Sequence, residues 1–286
     1  SLYSKMKPSA FLVVVALLAV CASASTLSKD ILGKLVPKFT TGYVIKGEDA
    51  VPHEAPFILS LSSSSTKHAH ICGATLISKE WCLTAAHCIV KPEGMGVVAG
   101  LHERLNVTTD TTQNRTVDFG KIHPSYTGGV GPFDIATLHV SKPFVFNEFV
   151  QPAFLPSPEH IYSGDTSLYG WGQPKAYILT GSKVLKTMEV PILDWEACKE
   201  TLPDNAPLDT TNICTSSKSE GKSACNGDSG GPLVMKRANG TFVELVGIVS
   251  WGYLPCGYLN MPSIYTRVSS YIDWVSQVQA FYYSFY

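Results

Sequence analysis

Three short stretches of this chain combine residue types that could do covalent chemistry. Leu83-Thr84-Ala85-Ala86-His87-Cys88 sets a histidine beside a cysteine at the end of an apolar run. Phe133-Asp134-Ile135-Ala136-Thr137-Leu138 sets one acid at the head of another. Cys225-Asn226-Gly227-Asp228-Ser229-Gly230-Gly231-Pro232 surrounds a serine with glycines. Taken singly, each has an ordinary reading: a packed strand-end histidine, an aspartate in a turn or cap, a tight glycine turn. Taken together they hold the parts of an activated nucleophile. A serine hydroxyl is too weakly acidic to attack a carbonyl unaided. A histidine in reach can take its proton, and a buried acid can fix the imidazole tautomer.

Such groups work only if rigid elements bring them together, and the surrounding pattern is that of short strands. Apolar runs alternate with turn residues over Phe57–Leu61, Ile71–Ile77, Trp81–Thr84, Val97–Leu101, Arg115–Ile122 and Ile135–Val140. A proline-rich crossing, Val150–Pro158, interrupts the series. It resumes over Ser167–Gly170, Lys186–Val190, Asn212–Cys214, Leu233–Lys236, Phe242–Ser250 and Ile264–Arg267. Asn239-Gly240 between apolar runs is a two-residue hairpin signal. Two segments read as helices: Trp195–Leu202 behind an Asp194 cap, and one opening with Ser270-Tyr271-Ile272-Asp273, close to a capping box. The aromatic end from Phe281 to Tyr286 reads as packing or a disordered tail. Two halves of six strands suggest an all-β fold of paired barrels.

Composition agrees and excludes other classes. The 286 residues carry 23 Gly and 18 Pro, 45% apolar residues and only 16% charged ones, which argues for packed cores and against disorder. A net charge of −1 with no Lys/Arg runs excludes an electrostatic nucleic-acid binder. Lys5-Met6-Lys7, the apolar stretch Ala10–Ala22 and the small residues Ala22-Ser23-Ala24 read as a secretory signal over 1–24. The stretch is well short of the ~20 apolar residues that span a bilayer, so no membrane partner is expected. The exported chain meets an oxidising compartment. Of eight cysteines, Cys21 leaves with the signal, and the odd remainder of seven leaves one unpaired. No spacing suits structural zinc. Asn106, Asn114 and Asn239 each begin a glycosylation sequon.

In the order His87, Asp134, Ser229, the chain resembles the chymotrypsin-like serine endopeptidases, the trypsin/chymotrypsin family, from Val44 to about Val278. It resembles secreted insect gut serine proteases of the lectizyme-like group. The order also separates it from subtilisins and α/β-hydrolases. The resemblance implies two six-stranded antiparallel β-barrels packed face to face, with a short C-terminal helix. It divides the chain into signal 1–24, activation propeptide 25–43 and peptidase domain 44–286, with barrels at 44–150 and 160–268 and a helix at 270–279.

It also implies roles. Ser229 is the nucleophile, His87 the base and then the acid, and Asp134 the orienting group, with Gly227 and Ser229 offering N–H groups to the oxyanion. Ser250-Trp251-Gly252 is the strand that holds extended substrate, with Ser250 behind Asp134. Bridges map onto Cys72–Cys88, Cys198–Cys214 and Cys225–Cys256, leaving Cys82 as a buried, inert thiol. No cofactor and no metal are implied, since the family's calcium loop lacks its first carboxylate here. Where trypsin-like members carry an Asp, this chain has Ser223, so Arg and Lys substrates would be desolvated without a counter-charge. Gly252 leaves one wall open, while Ser263 shortens the slot and disfavours Trp; Phe, Tyr, Leu and Met remain. Val44-Ile45-Lys46-Gly47 is similar to the family's mature N-terminus, whose new amine pairs with Asp228, but Tyr43 stands where most relatives carry Arg or Lys. The expectation is a secreted, monomeric, digestive zymogen. It acts on proteins and peptides and is met by serine protease inhibitors. The alternatives are a lectin-like or defence protein on the same scaffold, or a cascade protease with one partner.

Overall fold

The computed structural model describes residues 47–174, 180–215, 221–237, 242–257 and 261–285. The expected signal and propeptide, the Tyr43–Val44 bond and Asn239 lie outside them. Strand β1 is a short pair, Glu48–Asp49. The next six strands are β2 (Ile58–Ser62), β3 (His70–Leu76), β4 (Trp81–Thr84), β5 (Gly96–Ala99), β6 (Gln113–Ile122) and β7 (Ala136–Val140). They close into an antiparallel barrel in the order β2-β3-β4-β7-β6-β5. A second set is β8 (Asp165–Gly170), β9 (Lys186–Leu193), β10 (Asn212–Thr215), β11 (Pro232–Lys236), β12 (Val243–Gly252) and β13 (Ser263–Arg267). Its order β9-β10-β13-β12-β11-β8 closes through the β8–β9 pairing, with β1 added outside on β9. Two six-stranded barrels is the architecture expected from the strand pattern.

The alternation in β2 shows why the strands hold. Leu59 and Leu61 fill the barrel interior, while Ser60 and Ser62, equally buried, spend their hydroxyls on His70 and on backbone oxygens. One apolar cluster runs from the first barrel (Leu59, Leu83, Leu138) into the second (Trp171, Val234, Ile248), so the barrels share a core rather than touch. Hairpin β11–β12 forms as expected from its flanks, with its tip outside the described residues.

Helix α1 spans Trp195–Thr201, and the Asp194 carboxylate accepts the N–H groups of Glu196 and Ala197, as its sequence predicts. Helix α2 spans Ile272–Phe285 and differs from expectation at both ends. Ser270 does not cap it: a 3-10 turn over Val268–Tyr271 leads straight into the helix, and the Ser270 hydroxyl has no partner among the described residues. At the far end the helix takes in the aromatic residues Phe281–Phe285. Tyr282 and Tyr283 lie edge-on to the buried Trp81, with ring centroids 5.4 and 6.3 Å away. The Trp81 indole N–H donates to the Tyr283 hydroxyl, which donates to Glu80. This anchor on β4 makes the last turns helical.

Candidate active site

Each of the three motifs sits at the end of a strand, where a side chain can leave the sheet. His87 lies in a 3-10 turn, Ala86–Cys88, directly after β4, and the Cys72–Cys88 disulfide ties that turn to β3. Asp134 precedes β7, and Ser229 precedes β11. The first two meet. His87 Nδ1–H donates to Asp134 Oδ2 at 2.7 Å, and the His87 backbone N–H donates to Oδ1 at 2.9 Å. From the second barrel, the Ser250 hydroxyl donates to Oδ2 at 2.6 Å and the Thr266 hydroxyl to the Asp134 carbonyl at 2.8 Å. The Asp134 side chain is 2% exposed and the His87 ring 29%, so the pair is dry on one side and open on the other.

Ser229 is held by its backbone. Its carbonyl accepts the Gly73 N–H of β3 at 2.8 Å, and the following Gly230 N–H reaches Val249 of β12 at 2.9 Å. Gly73 is needed for that approach, because a Cβ there would stand 2.6 Å from Gly231 Cα. Among the described residues, neither the Ser229 hydroxyl nor His87 Nε2 has a hydrogen-bond partner. Ser229 opens onto a cavity of about 180 Å³ lined by Cys225, Asn226, Ser250, Trp251, Gly252 and Ser263. Nothing stands closer than 3.9 Å to where a Gly252 side chain would begin. Ser223 sits behind Ser263: their hydroxyls are 3.0 Å apart, and Ser223 donates its proton to the Ala224 carbonyl. Trp251 forms part of the wall, and its indole N–H has no partner among the described residues.

The loop before Ser229 is braced on all sides. Gly227 adopts φ 96°, a region that favours glycine. Its carbonyl accepts the ring N–H of His70 Nε2 at 2.9 Å. That choice of tautomer makes His70 Nδ1 the acceptor of the Ser60 hydroxyl at 2.7 Å, and Ser60 in turn accepts from His68 Nε2 at 3.0 Å. Burial pulls the His70 pKa down to about 4, so it stays neutral and the direction of this relay is fixed. Asp228 is fully buried and accepts N–H groups from Gly172 and Cys225 at 2.8 and 2.9 Å. No cation pairs with it among the described residues, and burial pushes its pKa up to about 6.

The three disulfides join Cys72–Cys88, Cys198–Cys214 and Cys225–Cys256, the last bracing the cavity wall. Cys82 is free and buried, and desolvation raises its pKa to about 12, so it carries no thiolate. Asn106 and Asn114 are exposed. His70, Ser60, Gln173 and Thr266 were not singled out from the sequence. His70, two residues before Cys72, is one of two histidines separated only by Ala69 (His68 and His70), and that pair was the one available signal.

Compared with known proteins, residues 44–275 match the trypsin family model. The chain is 42% identical over 272 residues to Lectizyme of Glossina austeni, covering 91% of this chain and 94% of that one. It is 33% identical over 244 residues to transmembrane protease serine 9 of Rattus norvegicus, covering 84% of this chain and 22% of that longer protein. No helix among the described residues is long and apolar enough to cross a membrane. With a match that spans both barrels and every residue of the cleft between them, the chain belongs to the trypsin family and is a serine-type endopeptidase.

Proposed function

We propose that the cleft hydrolyses peptide bonds through Ser229, His87 and Asp134, with a preference for aromatic or large apolar residues before the scissile bond (P1). The observation that carries this is the bonded line Ser250–Asp134–His87, which leaves His87 Nε2 unspent, while Gly230, next to Ser229, stands against Thr84 and Ala85 just ahead of His87. Neutral His87 takes the Ser229 proton as the hydroxyl attacks the carbonyl, then returns it to the leaving amine. Asp134 keeps the second nitrogen protonated and stabilises the imidazolium. The N–H groups of Gly227 and Ser229, unspent on any described residue, receive the oxyanion, each worth roughly 3 kcal/mol.

The pocket supports the P1 preference. A cavity of about 180 Å³ compares with the ~150 Å³ that holds a benzene ring, so a six-membered ring fits. Ser263 lines the cavity and Ser223 backs it at 3.0 Å, so this side of the pocket carries hydroxyls and no charge. Burying ~150 Å² of an aromatic ring is worth ~4 kcal/mol before ordering costs, while a cation would lose its water without compensation. Cleavage of a P1-randomised peptide library decides this, with Ser229→Ala as the inactive control. Preference for Arg or Lys would overturn the assignment of the pocket.

The chain is further proposed to be made as a secreted zymogen. A buried Asp228 with no cation is what an entering Val44 amine would satisfy. Tyr43, the residue before it, is one this pocket accepts, so the enzyme or a sibling of the same specificity makes the cut. Purified Ser229→Ala precursor is mixed with a trace of active enzyme. The product should read Val-Ile-Lys-Gly at its N-terminus, and Tyr43→Asp should block the cut. Efficient activation by trypsin, with the active enzyme leaving the precursor intact, excludes self-activation. The digestive role rests on resemblance alone; degradation of casein at many sites supports it, and one cut in one partner argues for a cascade. A lectin-like reading has the name of the Glossina relative behind it, and retention of Ser229→Ala on a sugar column would reveal it.

A further inference from the structure

The N–H of Gly227 can meet an oxyanion only if the peptide plane that carries it is turned the right way. That plane joins Asn226 to Gly227, and in a trans peptide the carbonyl and the N–H point in opposite directions. The Asn226 carbonyl is spent on the Gln173 backbone N–H at 2.8 Å. The Gly227 N–H is therefore directed away from Gln173. Gln173 grips the same residue a second time, because its side-chain oxygen accepts the Asn226 Nδ2–H at 2.9 Å. Gln173 is only 8% exposed, so water competes poorly for its end of this bond, whereas Asn226 lies exposed at the rim of the cavity. The next plane, Gly227 to Asp228, is held separately by His70 on the Gly227 carbonyl.

We propose that Gln173 is a positioning residue of the reaction: its side-chain bond to Asn226, added to the backbone bond that any residue here would make, fixes the plane that presents the Gly227 N–H to the oxyanion. This rests on the reading of Gly227 as an oxyanion donor given above. A glycine at φ 96° has no side chain to resist rotation of its flanking planes, so the restraint must come from outside the loop. Gln173, immediately after Trp171-Gly172 of the second barrel, supplies it for one plane.

The test uses the activated full chain and an aromatic-P1 peptide anilide, whose slow acylation makes kcat report the chemical step. Gln173→Met keeps the shape and loses the acceptor. It should lower kcat about fivefold with KM within twofold, and weaken a peptide aldehyde inhibitor, which forms an oxyanion adduct, by a similar factor. Asn226→Leu should do the same from the other side. Because the two side chains act as one unit, the double variant should match either single variant rather than multiply them. Melting temperatures separate these effects from misfolding, and Gln173→Leu serves if the methionine variant is unstable. Wild-type kcat in Gln173→Met, a loss confined to KM, or multiplying effects in the double variant would each overturn the proposal. If Ser229→Ala remained active, the reading of the cleft itself would fail; if it is inactive while Gln173→Met runs at full speed, only this inference does.

Discussion

Asp134 is a buried carboxylate oriented by donors from both barrels. Three hydrogen bonds reach its oxygens: two from His87 and one from Ser250. A hydrogen bond to a charged group is worth about 1.5–3 kcal/mol, which is tenfold or more in rate when it acts on the reacting geometry. Ser250→Ala should therefore lower kcat/KM about tenfold, measured on one aromatic-P1 substrate, with the fold intact by circular dichroism. An unchanged rate would mean that His87 alone orients Asp134. At the floor of the cavity, Ser263→Gly removes a hydroxymethyl and should raise the ratio of Trp to Tyr cleavage about tenfold, read from paired peptides. If the ratio stays put, another wall sets the depth. His87, Asp134 and Ser229 were legible because each motif is local, a few residues around one side chain. The bracing was not. His70 meets Gly227 across 157 residues, and a bond of that kind exists only once both barrels have closed.

Strands were the legible elements because each is bounded by turn residues and filled by alternation. Trp81–Thr84 is read correctly to the residue, since a buried four-residue run has no other satisfactory use for its backbone. β1 was not legible: Glu48–Asp49 has no apolar pattern and is a strand only because β9 offers an edge. The end of α2 was missed for a related reason. Phe281–Phe285 has no helical stripe of its own, and its conformation is set by Trp81, Phe119 and His139 on the first barrel, against which Tyr282 packs. Aromatic pairs contribute about 0.5–1.5 kcal/mol each beyond buried area. Ending the chain at Ala280 should thus cost about 2–4 kcal/mol and lower the melting temperature by roughly 5–10 °C, since 1 kcal/mol shifts Tm by about 2–4 °C at this size. kcat/KM should stay within twofold, because the removed residues pack on Trp81, Phe119 and His139 of the first barrel rather than on the triad. A large loss of activity at unchanged Tm would show instead that the helix reports to the cleft through β4.

At the scale of the whole molecule, Asp228 makes the proposed cleavage after Tyr43 a question of stability as a function of pH. In the uncut chain burial raises its pKa to about 6, against an ordinary aspartate value of 3.8. A carboxyl raised in the folded state binds its proton there more tightly than in the unfolded chain. Its contribution is therefore most favourable below about pH 4 and is lost as pH rises toward 6, by about 3 kcal/mol in all. A cationic amine from Val44 would reverse this, lowering the Asp228 pKa while its own rises above ~7.7. The stability gap between cut and uncut protein should then widen from pH 4 to 6 and hold through neutrality. It should close again as pH climbs past the raised amine pKa and the pair loses its charge. Urea melts of Ser229→Ala protein, uncut and cut after Tyr43, measure that gap directly and cancel every carboxylate common to both. Asp228→Asn in the uncut chain should remove the loss between pH 4 and 6, and in the cut chain it should remove the gain. Parallel stability curves for cut and uncut protein from pH 4 to 10 would mean that the new amine does not reach Asp228, and that the oxyanion loop is ordered before the propeptide leaves.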